Sequence, residues 1–340
     1  MTRDWRLEPR RRYKVTAIDP WLGAETVAAR FQPVYDRIDL IARKLDSANG
    51  TKPSKSSVKR WFPTFGLPRT SLPIYWREGP AAELNRLSSM LSGPLYTSEE
   101  FPWPRRTQFR EGKMVEADGY CEPLFQIELD LLSQIAGINL GSGLVQVWMD
   151  GLYGSVRHIA GKSISKRELT PVREGVLSFF SRGRPDGNIY RDWSDEKNTA
   201  PWLTSGWQFH SIGRPCHEIP YTLECDLDDL GIGQMQADHE VDYQGSEEEA
   251  TAALKLLEQT QKRYWRSNSP ASRKGLMRAG SLFGKFYSVQ GYHDEYFENT
   301  ALTLVDMSDG DTFWWNYGSA QLITDSGNPG RNFCFDWSTS

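Results

Sequence analysis

The sequence predicts an α+β fold. Three observations carry that prediction: an apolar stripe at helical spacing near the start, a capped helix signature at residue 246, and strand-like apolar runs clustered in the centre and at the end. Helices and strands are therefore segregated along the chain, which argues against a parallel sheet built from βαβ units. The 340 residues are 39% hydrophobic and 25% charged, enough for a sizeable core and unlike a disordered tail. No run approaches the ~20 apolar residues that cross a bilayer. Arg3, Arg6, Arg10, Arg11, Arg12 and Lys14 lead into no apolar secretory segment, so the expected location is the cytoplasm.

In the first helix Val27, Phe31, Val34, Ile38, Ile41 and Leu45 recur three or four residues apart. Pro33 either starts this helix near Gln32 or kinks it. Residues 47–60 turn polar and basic and read as a linker or mobile loop. The expected division is a basic extension over residues 1–60, with its amphipathic helix and linker, followed by an α+β domain over residues 61–340. A second helix is predicted from Pro80 through Leu84, Leu87 and Leu91, stopped by Gly93-Pro94.

Phe101-Pro102-Trp103-Pro104 forbids helix and predicts an extended loop. From Leu124 to Asp130, Phe125, Ile127 and Leu129 share one strand face, with Gln126, Glu128 and Asp130 pointing away. Leu144 to Met149 is apolar on both faces apart from Gln146, as for an interior strand, and Gly141-Ser142-Gly143 before it reads as a turn. Residues 160–215 suggest loops with short strands. Ser246 and Glu249 form a capping-box pattern ahead of Ala250, Leu254, Leu257 and Tyr264. At the end, the strand Leu302–Asp306 leads to an Asp309-Gly310 hairpin signal and then Phe313-Trp314-Trp315.

Several of these segments together resemble the YwqG-like family of bacterial proteins. They are Phe101-Pro102-Trp103-Pro104, the strand Pro123–Leu129, Gly143–Trp148, Phe286–Gln290, and Leu302–Asp306 followed by Gly310–Trp315. The match spans residues 93–340 with gaps, and order and spacing carry it; Tyr287-Ser288 stands where the family has Tyr-Pro. The resemblance implies two related β-rich halves with mixed or antiparallel sheets flanked by helices. It supplies no catalytic residues. Family members often sit among toxin and immunity genes, so it implies an immunity role.

The residues themselves point away from an enzyme. There is no Gly-x-Ser-x-Gly, phosphate loop, dinucleotide fingerprint or His-Glu-x-x-His. The five histidines make no metal-ligand pair, and Cys121, Cys216, Cys225 and Cys334 are too scattered for a zinc site or disulfide framework. No cofactor or metal is expected. Glu224 and Asp226 are two apart on one strand face, which suits solvated carboxylates better than a glycosidase pair.

Charge is the sharper signal. Between Glu218 and Glu258 twelve acids face one base, Lys255, a net −11. The whole chain is −4, so the remainder is +7. A solvated surface would account for this. So would a face for a basic partner, namely a cognate toxin such as a nuclease, contacted through Glu224, Asp226, Asp228, Asp229, Asp238, Glu240 and Asp242. Direct nucleic-acid binding by the Arg-rich start lacks a recognition motif. The alternative is a carbohydrate- or small-ligand-binding protein, possibly a hydrolase, using a cleft lined by Trp202, Trp207 and facing carboxylates; the chain has 13 Trp, 14 Tyr and 15 Phe.

Overall fold

The apolar residues of the centre and end do fall on strands, and eleven of those strands join one antiparallel sheet. The structure is a computed structural model and describes residues 24–61, 69–91, 93–150, 153–170, 205–213, 215–218, 246–267, 276–286, 301–307 and 319–338. The first half holds helices α1 (Ala24–Ala48) and α2 (Ser57–Trp61), and strands β1 (Arg69–Pro80) and β2 (Met90–Leu91). The hairpin β3 (Arg105–Arg110) and β4 (Lys113–Tyr120) follows, then β5 (Glu122–Glu128), helix α3 (Leu129–Ala136), β6 (Gly143–Asp150) and β7 (Tyr153–Ala160). The second half holds β8 (Ser205–Ile212), β9 (Cys216–Glu218), helix α4 (Ser246–Ser267), β10 (Leu276–Phe283), β11 (Ala301–Asp306), β12 (Ser319–Asp325) and β13 (Phe333–Ser338).

The strand order is β13-β12-β11-β10-β1-β8-β2-β5-β6-β7, with β9 also paired to β1 and the β3–β4 hairpin standing apart. All the described ladders are antiparallel. The order reads alike from both ends: four strands in chain order lie on either side of the β1–β8 pair, β10 to β13 on one and β2, β5, β6 and β7 on the other. The sheet nearly closes, because its terminal strands pack together without a described ladder. A Cβ on Gly154 of β7 would lie 2.3 Å from Cδ1 of Phe335 on β13. The His158 and Phe333 rings also meet across this seam, 5.3 Å apart.

One core fills the curved sheet, with Leu72, Ile74 and Trp76 of β1, Phe125 and Ile127 of β5, Val145 and Val147 of β6, and Leu322 of β12. α3 packs against it where β5 ends. Leu129, Leu132, Ile135 and Ala136 bury into that core, and Gly137 ends the helix in the left-handed region at φ 69°. The sequence reading placed Leu129 and Asp130 on a strand; the helical spacing of the following apolar residues overrides it.

Two further expectations are corrected. Residues 80–91 form no helix: β1 runs to Pro80, one 3-10 turn covers Ala81–Glu83, and the chain reaches β2 through turns. Their carbonyls are claimed from the sheet instead, since Gln126 Nε2 donates to Arg86 O at 2.9 Å and Ser88 O at 2.6 Å. Gln126 itself is fully buried, because β5 is covered on both faces. The interior placement of Leu144–Met149 holds, as β6 pairs with β5 and β7.

α1 keeps Pro33 inside a continuous helix, and Val34, Ile38, Ile41 and Leu45 bury on its predicted stripe. They pack against Ala250, Ala253 and Leu257 of α4, with Trp61 of α2 beside them. Lys44 of α1 pairs with Glu249 of α4. The polar stretch after α1 folds back onto it: buried Asp46 accepts from Ser57 Oγ, Arg60 Nη1 and, at 2.9 Å, Trp61 Nε1. The Asp309-Gly310 turn and Phe313-Trp314-Trp315 lie outside the described residues.

Candidate functional site

Glu224, Asp226, Asp228, Asp229, Asp238, Glu240 and Asp242 all lie outside the described residues. The elements on either side of them are described. β9 pairs with the start of β1, Glu218 opposite Arg69 and His217 opposite Thr70. α4 begins at Ser246 and packs beside β9. The two elements that bracket the acidic stretch are thus neighbours. On α4 itself Glu248 and Lys255 are exposed, while Glu249 is engaged with Lys44.

A second region lies at the end of the sheet opposite α3. Antiparallel pairing brings there the C-terminal ends of β1 and β13 and the N-terminal ends of β8 and β10. Trp207, Phe209, Met277 and Trp337 are half-buried at these positions and pack on the core. Phe209 meets Trp76 edge-on, ring centroids 6.1 Å apart. Exposed Glu78 stands directly opposite Trp207. The sequence reading named Trp207 for a cleft; Trp202 lies outside the described residues.

The third region was missed by sequence reasoning and is an extended polar network among the described residues. On the outer face of β5 and β6, Gln146 Nε2 donates to Tyr96 O at 2.7 Å and to Gln126 Oε1 at 3.0 Å. Tyr96 N donates to the same Gln126 oxygen at 3.0 Å. Arg157 of β7 donates from Nε and Nη2 to Gln146 Oε1, at 2.9 and 2.7 Å, and from Nη1 to Pro102 O at 2.6 Å. Trp148 Nε1 reaches Gln146 Oε1 at 3.0 Å, and the Arg157 guanidinium lies 5.3 Å from the Trp148 ring centre. Trp103 packs edge-on against Trp148 at 5.1 Å, which seats the Phe101–Pro104 loop.

Arg86 plays a parallel part, donating to Leu95 O at 3.0 and 2.9 Å, Thr170 O at 2.7 Å and Thr97 Oγ1 at 2.6 Å. Burial pushes the Arg86 guanidinium down to about 10. Burial likewise brings Arg157 down to about 10. The one available signal was Gln146 itself, a polar residue inside an otherwise apolar interior strand.

Among the described residues no group of three or more His, Cys, Asp or Glu side chains could hold a metal ion. No described helix is long and apolar enough to cross a membrane. No family model, curated protein or solved structure matches the chain.

Proposed function

We propose that this chain is an immunity protein of the bacterial cytoplasm that binds a basic toxin, plausibly of the nuclease class, and blocks its active surface. The observation that carries the reading is the charge division, −11 between residues 218 and 258 against +7 elsewhere. Nucleases are basic where they hold phosphate, and an acidic inhibitor attracts that surface and aligns on it. The described elements on either side of the acidic stretch, β9 and α4, are neighbours, which supports the reading.

The YwqG-like resemblance belongs to the same proposal, as do its two related halves. Strands β2, β5, β6 and β7 mirror β10, β11, β12 and β13 about the central β1–β8 pair. Each half also buries a glutamine that ties down the chain after its first strand: Gln146 donates to Tyr96 O, and Gln321 donates to Lys285 O at 3.1 Å.

The test is rescue. Cells expressing the toxin encoded beside this gene survive when the chain is co-expressed, and the two proteins co-purify. Neutralising the seven acids from Glu224 to Asp242 to their amides slows association at least tenfold at low salt, the difference shrinking as salt rises. Failure of the chain to rescue cells from any neighbouring toxin would sink the proposal.

A second reading rests on the half-buried aromatics Trp207, Phe209 and Trp337 with Glu78 at the rim. Barrel mouths with aromatic walls and a carboxylate suit a sugar or small ligand. Binding on a glycan array that Trp207→Ala abolishes would favour this reading over the first.

A further inference from the structure

Arg157 carries a charge that none of its hydrogen-bonding partners neutralises. It is half-buried on the outer face of β7, the last strand of the sheet order. A guanidinium has five N–H donors. Three are spent on Gln146 Oε1 and Pro102 O, both neutral. The Gln146 oxygen is oversubscribed, because Trp148 Nε1 donates to it as well. Three donors thus share an amide oxygen that has two lone pairs. Among the described residues, one N–H on each Nη nitrogen of Arg157 is uncommitted.

We propose that Arg157 forms the cationic part of an oxyanion-binding subsite on the outer face of β7, taking a carboxylate or phosphate group. Planar arginine donors match both groups and bind them more strongly than they bind a neutral carbonyl. A partly desolvated cation without a counter-charge is costly, and an arriving oxyanion offsets that cost. The site is built and not a loose surface arginine. The Trp148 ring backs the guanidinium plane, Gln146 fixes its inner edge, and Pro102 fixes the third donor.

Ser155 suits the same ligand, and Arg105 on β3 is a second exposed cation close to Pro102 along the chain. Ser155, two residues back on β7, is exposed on the same strand face, its hydroxyl committed only to a long 3.4 Å bond to Trp148 O. Arg105 lies three residues beyond Pro102, stacked 5.3 Å from the Tyr120 ring, and its side chain is 52% exposed. Its ion pair with Glu116 is loose at 3.9 Å. Arg86 is the internal contrast: its four hydrogen bonds close it around Leu95, Thr97 and Thr170. The subsite is independent of the acidic stretch, so it stands or falls apart from the toxin reading.

The test follows the arginine Nε–Hε resonances of the full ¹⁵N-labelled chain during titration with inorganic phosphate and, separately, with acetate at constant ionic strength. The Arg157 signal, assigned by its loss in Arg157→Lys, moves saturably while the Arg86 signal stays in place. A stronger response to phosphate names a phosphoryl ligand, and a stronger response to acetate names a carboxylate. No saturable movement with either anion overturns the proposal. So does an unsaturating drift shared equally by Arg105 and Arg157, which is ionic screening alone.

Discussion

Asp46 has no exposed surface, yet it accepts hydrogen bonds from Ser57, Arg60 and Trp61, so it joins α1 to α2. Burial pushes its carboxyl up. The bonds from Ser57, Trp61 and Arg60, with the Arg60 charge, outweigh that and hold it below the usual carboxylate range. A lowered carboxyl contributes stability above its unfolded value of about 3.9, and that stability is lost as pH falls through the folded value. Asp46→Ala therefore costs about 2–3 kcal/mol at pH 7 in urea unfolding, through unmade buried hydrogen bonds. The gap from the parent protein narrows below about pH 4. Thr303 gives the opposite sign. It is buried on β11, and its hydroxyl has no partner among the described residues. Thr303→Val removes that unsatisfied group at nearly constant shape, so it raises stability by about 1 kcal/mol in the same assay.

At the scale of elements, the segment between β1 and β5 illustrates how the sheet overrides local preference. Leu84, Leu87 and Leu91 sit at helical spacing, but no helix forms there. Gln126 supplies donors to Arg86 O and Ser88 O and an acceptor to Tyr96 N, bonds a helix would otherwise have to make. Gln126→Leu leaves these backbone groups unsatisfied at a cost of about 2–4 kcal/mol. Hydrogen exchange at the Tyr96 amide accelerates, while that of β12 changes only with global stability. The α1–α4 contact depends on apolar burial more than on charge. Ile41→Ala costs about 2–5 kcal/mol. A double-mutant cycle on the partly exposed Lys44–Glu249 pair returns under about 1 kcal/mol. α1 was legible because one amphipathic stripe encodes it. α4 was legible from its capping box, but that it packs on α1, some 200 positions earlier, was not.

For the whole molecule, closure of the sheet rests on side chains at one seam. Phe335 of β13 occupies the space a Cβ on Gly154 would need and also packs edge-on against Phe125 of the core, ring centroids 6.2 Å apart. Gly154→Ala costs about 1–3 kcal/mol by overpacking. Adding Phe335→Leu returns part of that loss, a coupling that separates the seam from an ordinary strand defect. The nearly closed antiparallel sheet was not foreseen, because which strands pair depends on contacts far apart in sequence.

By itself the sequence determined where apolar periodicity is strong: the stripe of α1, the start of α4, the interior strand β6 and the strand β11. It also determined the charge division on which the proposed function rests, since net charge needs no coordinates. Only the tertiary structure decided the rest. It turned Leu129–Ala136 into a helix packed on the core, denied a helix to residues 81–91, and buried Gln126 and Gln146 between the sheet and the Gly93–Pro104 loop. It also left Arg157 with donors that no described residue takes up. The physical reason is the same in each case: a polar group's role depends on the partners the fold brings to it, and those come from segments that local patterning does not connect.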